Sequence, residues 1–201
     1  MGQVLCYRGC KSLLFFSVLG LLFFSSCRST RSFTSPLPEE YSIRMSKSSA
    51  SGYKNVKRVR KYEFAHRDVP AAFDGCRLGF VSDLHYRSLL KKKGLRDITR
   101  LLNDLRLDAL LIGGDLHEGC EYVPDVIAAL GAVKTPLGTY AVLGNNDYEA
   151  CYDDILKEME RQGIHLLEHE ADTLKRNGGR IVIAGVRNPF NLGQNGQSPT
   201  L

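Results

Sequence analysis

Leu78-Gly79-Phe80-Val81-Ser82-Asp83-Leu84-His85 opens on four residues that read as a short buried strand and closes on four that end it. A carboxylate and an imidazole two positions apart, where a strand becomes a loop, can turn both side chains towards one point. Two later stretches repeat the pattern. Ala109-Leu110-Leu111-Ile112 runs into Gly113-Gly114-Asp115, and Tyr140-Ala141-Val142-Leu143 runs into Gly144-Asn145-Asn146-Asp147. Three apolar strands therefore each deliver metal-ligating residue types at their carboxyl ends.

Helical periodicity fills the intervals. After a polar break at Lys91-Lys92-Lys93-Gly94, the residues Leu95, Ile98, Leu101, Leu102 and Leu105 recur at three- and four-residue spacing, which predicts an amphipathic helix. Residues 107–112 are nearly all apolar, as in a parallel strand covered on both faces. A helix is expected over 124–130, with Pro124 in its first turn and Gly131 at its end, and another over 152–162, stopped by Gly163. Residues 138–143, 164–167 and 180–186 are strand-like, with turn chemistry at Asn177-Gly178-Gly179. Val56, Val59, Tyr62 and Phe64 among charges predict an edge strand entering the domain. Strand–helix–strand succession means an α/β layer fold, in which ligands collect at the carboxyl ends of the strands. Asp83, His85, Asp115 and Asn145 all fall there.

The net charge of +5 hides a split. Residues 1–67 carry 12 Lys/Arg against 3 Asp/Glu, and residues 68–201 carry 15 against 19, so the body is mildly acidic. That excludes the basic folded surface of a nucleic-acid-binding domain. Residues 1–27 have the layout of a signal or membrane anchor: a basic start, an apolar core over 13–24, then Ser25-Ser26-Cys27, which also resembles a lipoprotein cleavage site. Residues 28–55 read as a basic linker rich in Ser and Pro, and residues 56–201 as the domain. The basic residues beside the apolar segment suit anionic lipid head groups, with the inner, cytoplasmic membrane as the expected location and a lipoprotein as the alternative. The six cysteines form no CxxC pair and are expected to be free thiols.

Asp, His and Asn are oxygen and nitrogen donors suited to Mn, Fe or Zn. One carboxylate can bridge two such ions about 3.5–4 Å apart, the arrangement that activates water for attack on phosphorus. Asp115, on the central loop, is the natural bridge, with Asp83 and His85 on one ion and Asn145 on the other. Gly113, Gly114 and Gly144 let the backbone approach the site without a Cβ in the way.

At this point the chain resembles the calcineurin-like metallophosphoesterases. Their signature is Asp-x-His, then Gly-Asp-x-x-(Asp), then Gly-Asn-His-(Asp/Glu). Here it reads Asp83-Leu84-His85, Gly114-Asp115-Leu116-His117-Glu118 and Gly144-Asn145-Asn146-Asp147. The resemblance implies an αββα sandwich, two divalent metal ions held by Asp83, His85, Asp115 and Asn145, and hydrolysis of phosphate esters or anhydrides. Asn146 stands where the family has a His, so the residue at this position can donate a hydrogen bond to a phosphoryl oxygen but cannot supply a proton. The loss is more tolerable for a weakly basic leaving group such as a nucleoside monophosphate. His117, on the neighbouring loop, is a candidate acid, with a surface loop histidine as the alternative. The family's downstream Gly-His-x-His is not matched by His165 or His169, which are expected on the surface, and the C-terminal part of the domain is expected to be missing.

The apolar leader and basic linker fit a phosphorylated or nucleotide-linked lipid substrate at a membrane surface. The set is similar to the membrane-bound UDP-2,3-diacylglucosamine pyrophosphatases of lipid A synthesis. The alternatives are a broad-specificity phosphodiesterase or phosphatase lipoprotein, and a non-catalytic membrane-attached protein that keeps the fold.

Overall fold

The computed structural model describes residues 3–7, 42–48, 50, 52–148 and 151–187. The apolar segment 13–24, Cys10 and Cys27 lie outside the described residues. Nine strands and three α-helices are described: β1 (Gln3–Tyr7), β2 (Ser42–Ser48), β3 (Val59–Ala65), β4 (Leu78–Ser82), α1 (Lys92–Asp104), β5 (Ala109–Ile112), α2 (Val123–Gly131), β6 (Thr139–Ala141), α3 (Tyr152–Gln162), β7 (Ile164–Leu166), β8 (Glu170–Arg176) and β9 (Gly179–Gly185). Seven strands form one sheet in the order β2-β3-β1-β4-β5-β6-β7, and β8 and β9 pair as a separate hairpin.

The half that carries the three motifs is parallel. β4, β5, β6 and β7 are consecutive neighbours, with Val81 opposite Ile112 and Ile112 opposite Ala141. α1, α2 and α3 make the returns. Parallel pairing brings all the strand carboxyl ends to one edge, and so gathers the motif loops.

The period-two alternation of these short strands divides the interior in two. Val81, Leu110 and Ile112 pack with the helical residues Ile98, Leu102, Ile127, Leu130 and Ile155. Leu78, Ala109 and Tyr140 face the other way, onto Phe73, Leu174 and Ile181, so the β8–β9 hairpin covers the second face of the main sheet. Helices, sheet and hairpin are thus three of the four layers expected of an αββα sandwich. Fully buried side chains such as Leu102, Leu110, Ile127 and Leu130 each contribute about 1.5–3 kcal/mol relative to exposure.

The strand through Val59 and Phe64 is not at the edge. It is flanked by β1, in parallel, and by β2, antiparallel, with Ile43 opposite Phe64. β1 lies in the stretch read as leader and β2 in the stretch read as linker, so the sheet takes in strands from both. Ile43 and Met45 of β2 are 53% and 56% exposed, so backbone pairing rather than burial forms this strand, and no hydrophobic face marks it. β8 also escapes pattern reading. Of Glu170-Ala171-Asp172-Thr173-Leu174-Lys175-Arg176 only Leu174 is buried, and it is the hairpin closed at Asn177-Gly178 that makes the strand. The Lys91-Lys92-Lys93 stretch is not a break: α1 begins at Lys92, with its first lysines solvated.

The expectation of free thiols fails at one pair. Cys120 and Cys151 form a disulfide across a separation of 31 residues. Their apposition comes from the parallel crossover, which sets the loop after β5 beside the start of α3. That is a tertiary neighbourhood no sequence spacing announces. Cys76 is free and buried.

Candidate metal centre

The first two motif loops leave their strands in a left-handed backbone conformation. Asp83 has φ 54°, His85 φ 39° and Asp115 φ 53°. Asp and His tolerate this region better than most residues, but each such position still costs on the order of 1 kcal/mol or more and persists only where the surroundings hold it. Here the loops hold one another. The Asp83 amide donates to the Gly114 carbonyl at 3.0 Å and the His85 amide to the Asp115 carbonyl at 3.0 Å, while Tyr86 and Glu118 continue the ladder. Leu84 and Tyr86 point into the core, which leaves the alternate residues Asp83 and His85 facing out of it.

The outcome is a cluster. Ligand atoms of Asp83, His85 and Asp115 all lie within 4.8 Å of one another. The third loop joins through a 3-10 turn, Asn145–Tyr148, in which the Asn146 amide donates to Asp115 Oδ1 at 3.1 Å and its side-chain nitrogen lies 3.4 Å from His85 Nδ1. The exposed Asn145 side chain donates to Asn146 Oδ1 at 2.7 Å. Asp83, His85, Asp115 and Asn146 therefore converge, and Asn145 adjoins them.

Gly114 and Gly144 make the approach possible. Gly114 has φ 85°, and a Cβ there would stand 2.0 Å from the Gly144 nitrogen. A Cβ on Gly144 would stand 2.2 Å from Asp115 Oδ1. Neither position has room for any side chain.

Three further residues complete the arrangement. Asp147 is fully buried, and its carboxylate accepts the amides of Asp115 (2.7 Å), Gly144 (2.9 Å) and Leu116 (3.1 Å). Burial pushes this carboxyl up, and the three amides oppose that by favouring the ionised form. The residue sits in the third motif, yet nothing in its spacing says that it faces inward. His117 is not a surface histidine: it is 4% exposed, accepts the Gly119 amide on Nδ1, and sets Nε2 3.7 Å from Asp147 without a hydrogen bond. Glu118 places a carboxylate oxygen 2.5 Å from His85 Nδ1. A carboxylate on one ring nitrogen leaves Nε2 with the free lone pair that a metal requires. His165 and His169 are exposed, His165 stacking on Tyr140.

Two carboxylates and an imidazole that meet within 4.8 Å, the imidazole oriented by a third carboxylate, fit a hard or borderline divalent ion. The sequence pattern of the calcineurin-like phosphoesterases matches residues 76–194, more than half of the chain. The chain belongs to that family. The matched stretch is therefore a calcineurin-like phosphoesterase domain. Similar proteins include a transmembrane protein with a metallophosphoesterase domain from Danio rerio, 26% identical over 134 residues, and an uncharacterized metallophosphoesterase from Helicobacter pylori, 32% identical over 111 residues. A third, an uncharacterized metallophosphoesterase from Aquifex aeolicus, is 27% identical over 133 residues. These alignments cover 64%, 55% and 64% of this chain, and 31%, 29% and 48% of the respective relatives. The chain thus spans about a third to a half of the length of these relatives. No solved structure matches it. Among the described residues no helix is long and apolar enough to cross a membrane.

Proposed function

We propose that this chain is the metal-binding portion of a membrane-attached hydrolase that cleaves a phosphate ester or pyrophosphate with a weakly basic leaving group. The convergence of Asp83, His85 and Asp115 within 4.8 Å carries the reading. Asp83, His85 and Asp115 would hold one divalent ion, and Asp115 with Asn145 a second. Bound ions of this kind supply Lewis-acid polarisation of the phosphoryl group and acidify a water nucleophile.

The remaining work falls to the chain's own side chains. The Asn146 amide, beside His85 and Asp115, can donate to a phosphoryl oxygen but holds no proton to give to the leaving group. His117 is turned towards Asp147 in the interior, which favours a role in holding the second and third loops over one as leaving-group acid. A site without an evident acid suits a leaving group that departs as an anion, such as a nucleoside monophosphate. UDP-2,3-diacylglucosamine, cleaved to lipid X and UMP, is the substrate of this class that also fits an apolar leader. The test is release of UMP by the full chain with Mn, with Asp115→Asn as control. Robust cleavage of a generic phosphodiester with no UMP release would sink the nucleotide-lipid assignment.

The disulfide favours a second reading of location and substrate. Structural disulfides persist on the oxidising side of a membrane, so Cys120–Cys151 supports a lipoprotein phosphodiesterase or phosphatase outside the cytoplasm. A lipid-modified Cys27 with the leader removed, found by mass spectrometry, would establish it. A chain that takes up no divalent ion would instead be a non-catalytic member of the fold.

A further inference from the structure

The last residues of the stretch read as a basic linker, Tyr53 to Asn55, lie against α1. The Asn55 backbone and side-chain amides both donate to Asp97 Oδ2, at 3.1 and 2.7 Å, and the Tyr53 hydroxyl donates to Asp104. Arg100 lies over the Tyr53 ring, 5.9 Å from its centroid. These bonds fix the turn but do not fill the space beside it. A cavity of about 450 Å³ remains between turn and helix, lined by Lys54, Asn55, Lys93, Arg96, Asp97 and Arg100.

Four cations and one carboxylate make the lining strongly positive. Asp97 accepts both Asn55 amides on one oxygen and offsets one of the four charges, so the lining keeps an excess of three positive charges. Among the described residues Lys54, Lys93 and Arg96 form no ion pair within 4 Å. Cations gathered round a concavity repel one another, and an anion relieves that repulsion. A guanidinium such as that of Arg96 presents a planar fork matched to two phosphate oxygens, and lysines add point charge. The volume suits a head group of small-molecule size.

We infer that this cavity seats the phosphate of an anionic phospholipid head group. The position of the cavity selects the lipid over a soluble anion. One wall is the turn that follows β2 at the end of the stretch read as a basic linker, and the exposed Lys57 and Arg58 come directly after it in sequence. Basic side chains at such a junction are attracted to an anionic leaflet. α1 follows β4 and precedes the parallel β5, so it begins at the sheet edge where Asp83 and His85 stand. A head group bound at Lys93 and Arg96 would hold that edge at the membrane surface, whatever the metal site hydrolyses.

The full chain, reconstituted into phosphatidylcholine vesicles with and without 30% phosphatidylglycerol, tests this by amide hydrogen exchange. The expected result is at least fivefold slower exchange over residues 52–55 and 92–100 with the anionic lipid. That slowing should be lost at high salt and in Lys93→Gln/Arg96→Gln, whose exposed positions leave the melting temperature and metal uptake unchanged. Equal protection in neutral vesicles given millimolar inorganic phosphate would make this a soluble-phosphate site and overturn the lipid assignment. Protection that survives the double substitution, or none in any vesicle, would overturn the cavity assignment itself.

Discussion

The carboxylate of Asp147 accepts the backbone amide of Asp115 at 2.7 Å from a position with no solvent exposure. The same carboxylate takes the amides of Leu116 and Gly144, so one buried charge ties the second motif loop to the third. The fold brings the two strands side by side, and Asp147 fixes the loops that extend beyond them.

Asp147→Asn therefore tests the clamp at constant volume. An amide offers a single oxygen and turns its NH2 group towards an N–H, so one or two buried donors go unsatisfied. The expected loss is about 2–4 kcal/mol of stability in urea unfolding, from charge-assisted bonds and stranded donors together. Metal uptake should weaken in parallel. Unchanged stability and unchanged uptake would show that the three amides find other partners.

Gly144→Ala asks whether the close approach of the loops is required. The added methyl would meet Asp115 Oδ1 at 2.2 Å, so either the carboxylate or the backbone must move. Calorimetric titration with Mn should show at least a tenfold weaker site than the parent chain. A variant that binds as tightly would mean that Asp115 can relocate without cost.

Glu118→Gln addresses the orientation of His85. The carboxylate holds Nδ1, and with it the ring plane and the tautomer that exposes Nε2. Removing such a partner commonly weakens metal binding 10- to 100-fold. Glu118 is 40% exposed, so the unfolding midpoint should scarcely change, and affinity should fall without stability.

The convergence of the motif loops was legible because their signal is local. A short apolar run followed at once by Asp-x-His, Gly-Asp or Gly-Asn places the side chains whatever the rest of the chain does. α1, α2 and α3 were legible for a similar reason, since each buries one regular stripe. What pattern reading missed depends on partners distant in sequence. β2 and β8 present little or no buried face and exist as strands because another strand is beside them. His117 looks like a loop residue until the bridge between Tyr86 and His117 turns it inward against Asp147. Asp147 could be counted as a motif letter, but its three bonds belong to the tertiary fold.

Cys76 offers a pH test outside the metal site. Burial, reinforced by the nearby Asp108 carboxylate, pushes its thiol up to about 11. Only the thiolate is nucleophilic, so at pH 8 the reactive fraction is about a hundredfold below that of an ordinary thiol. Alkylation of Cys76 in the folded chain by iodoacetamide, read at its own peptide by mass spectrometry because Cys6, Cys10 and Cys27 are also present, should be slow at pH 8 and rise about tenfold per pH unit up to pH 10. Denaturant should abolish the protection. Rapid labelling of Cys76 itself in the native chain at pH 8 would contradict the burial of this side chain.

The Cys120–Cys151 bond joins the loop that follows Asp115 to the residue just before α3, and so encloses the third motif in a covalent ring that starts two residues beyond the second motif. Closing a loop of this length removes chain entropy from the unfolded state worth about 3–4 kcal/mol. Cys120→Ser/Cys151→Ser, or treatment with a strong reductant, should therefore lower stability by up to that amount. The parallel strands and the Asp147 clamp remain in the reduced chain, so the metal loops should still assemble, with affinity falling less steeply than in Asp147→Asn. Complete loss of metal uptake on reduction would reverse that ranking and make the disulfide, rather than the buried carboxylate, the main tie between the loops.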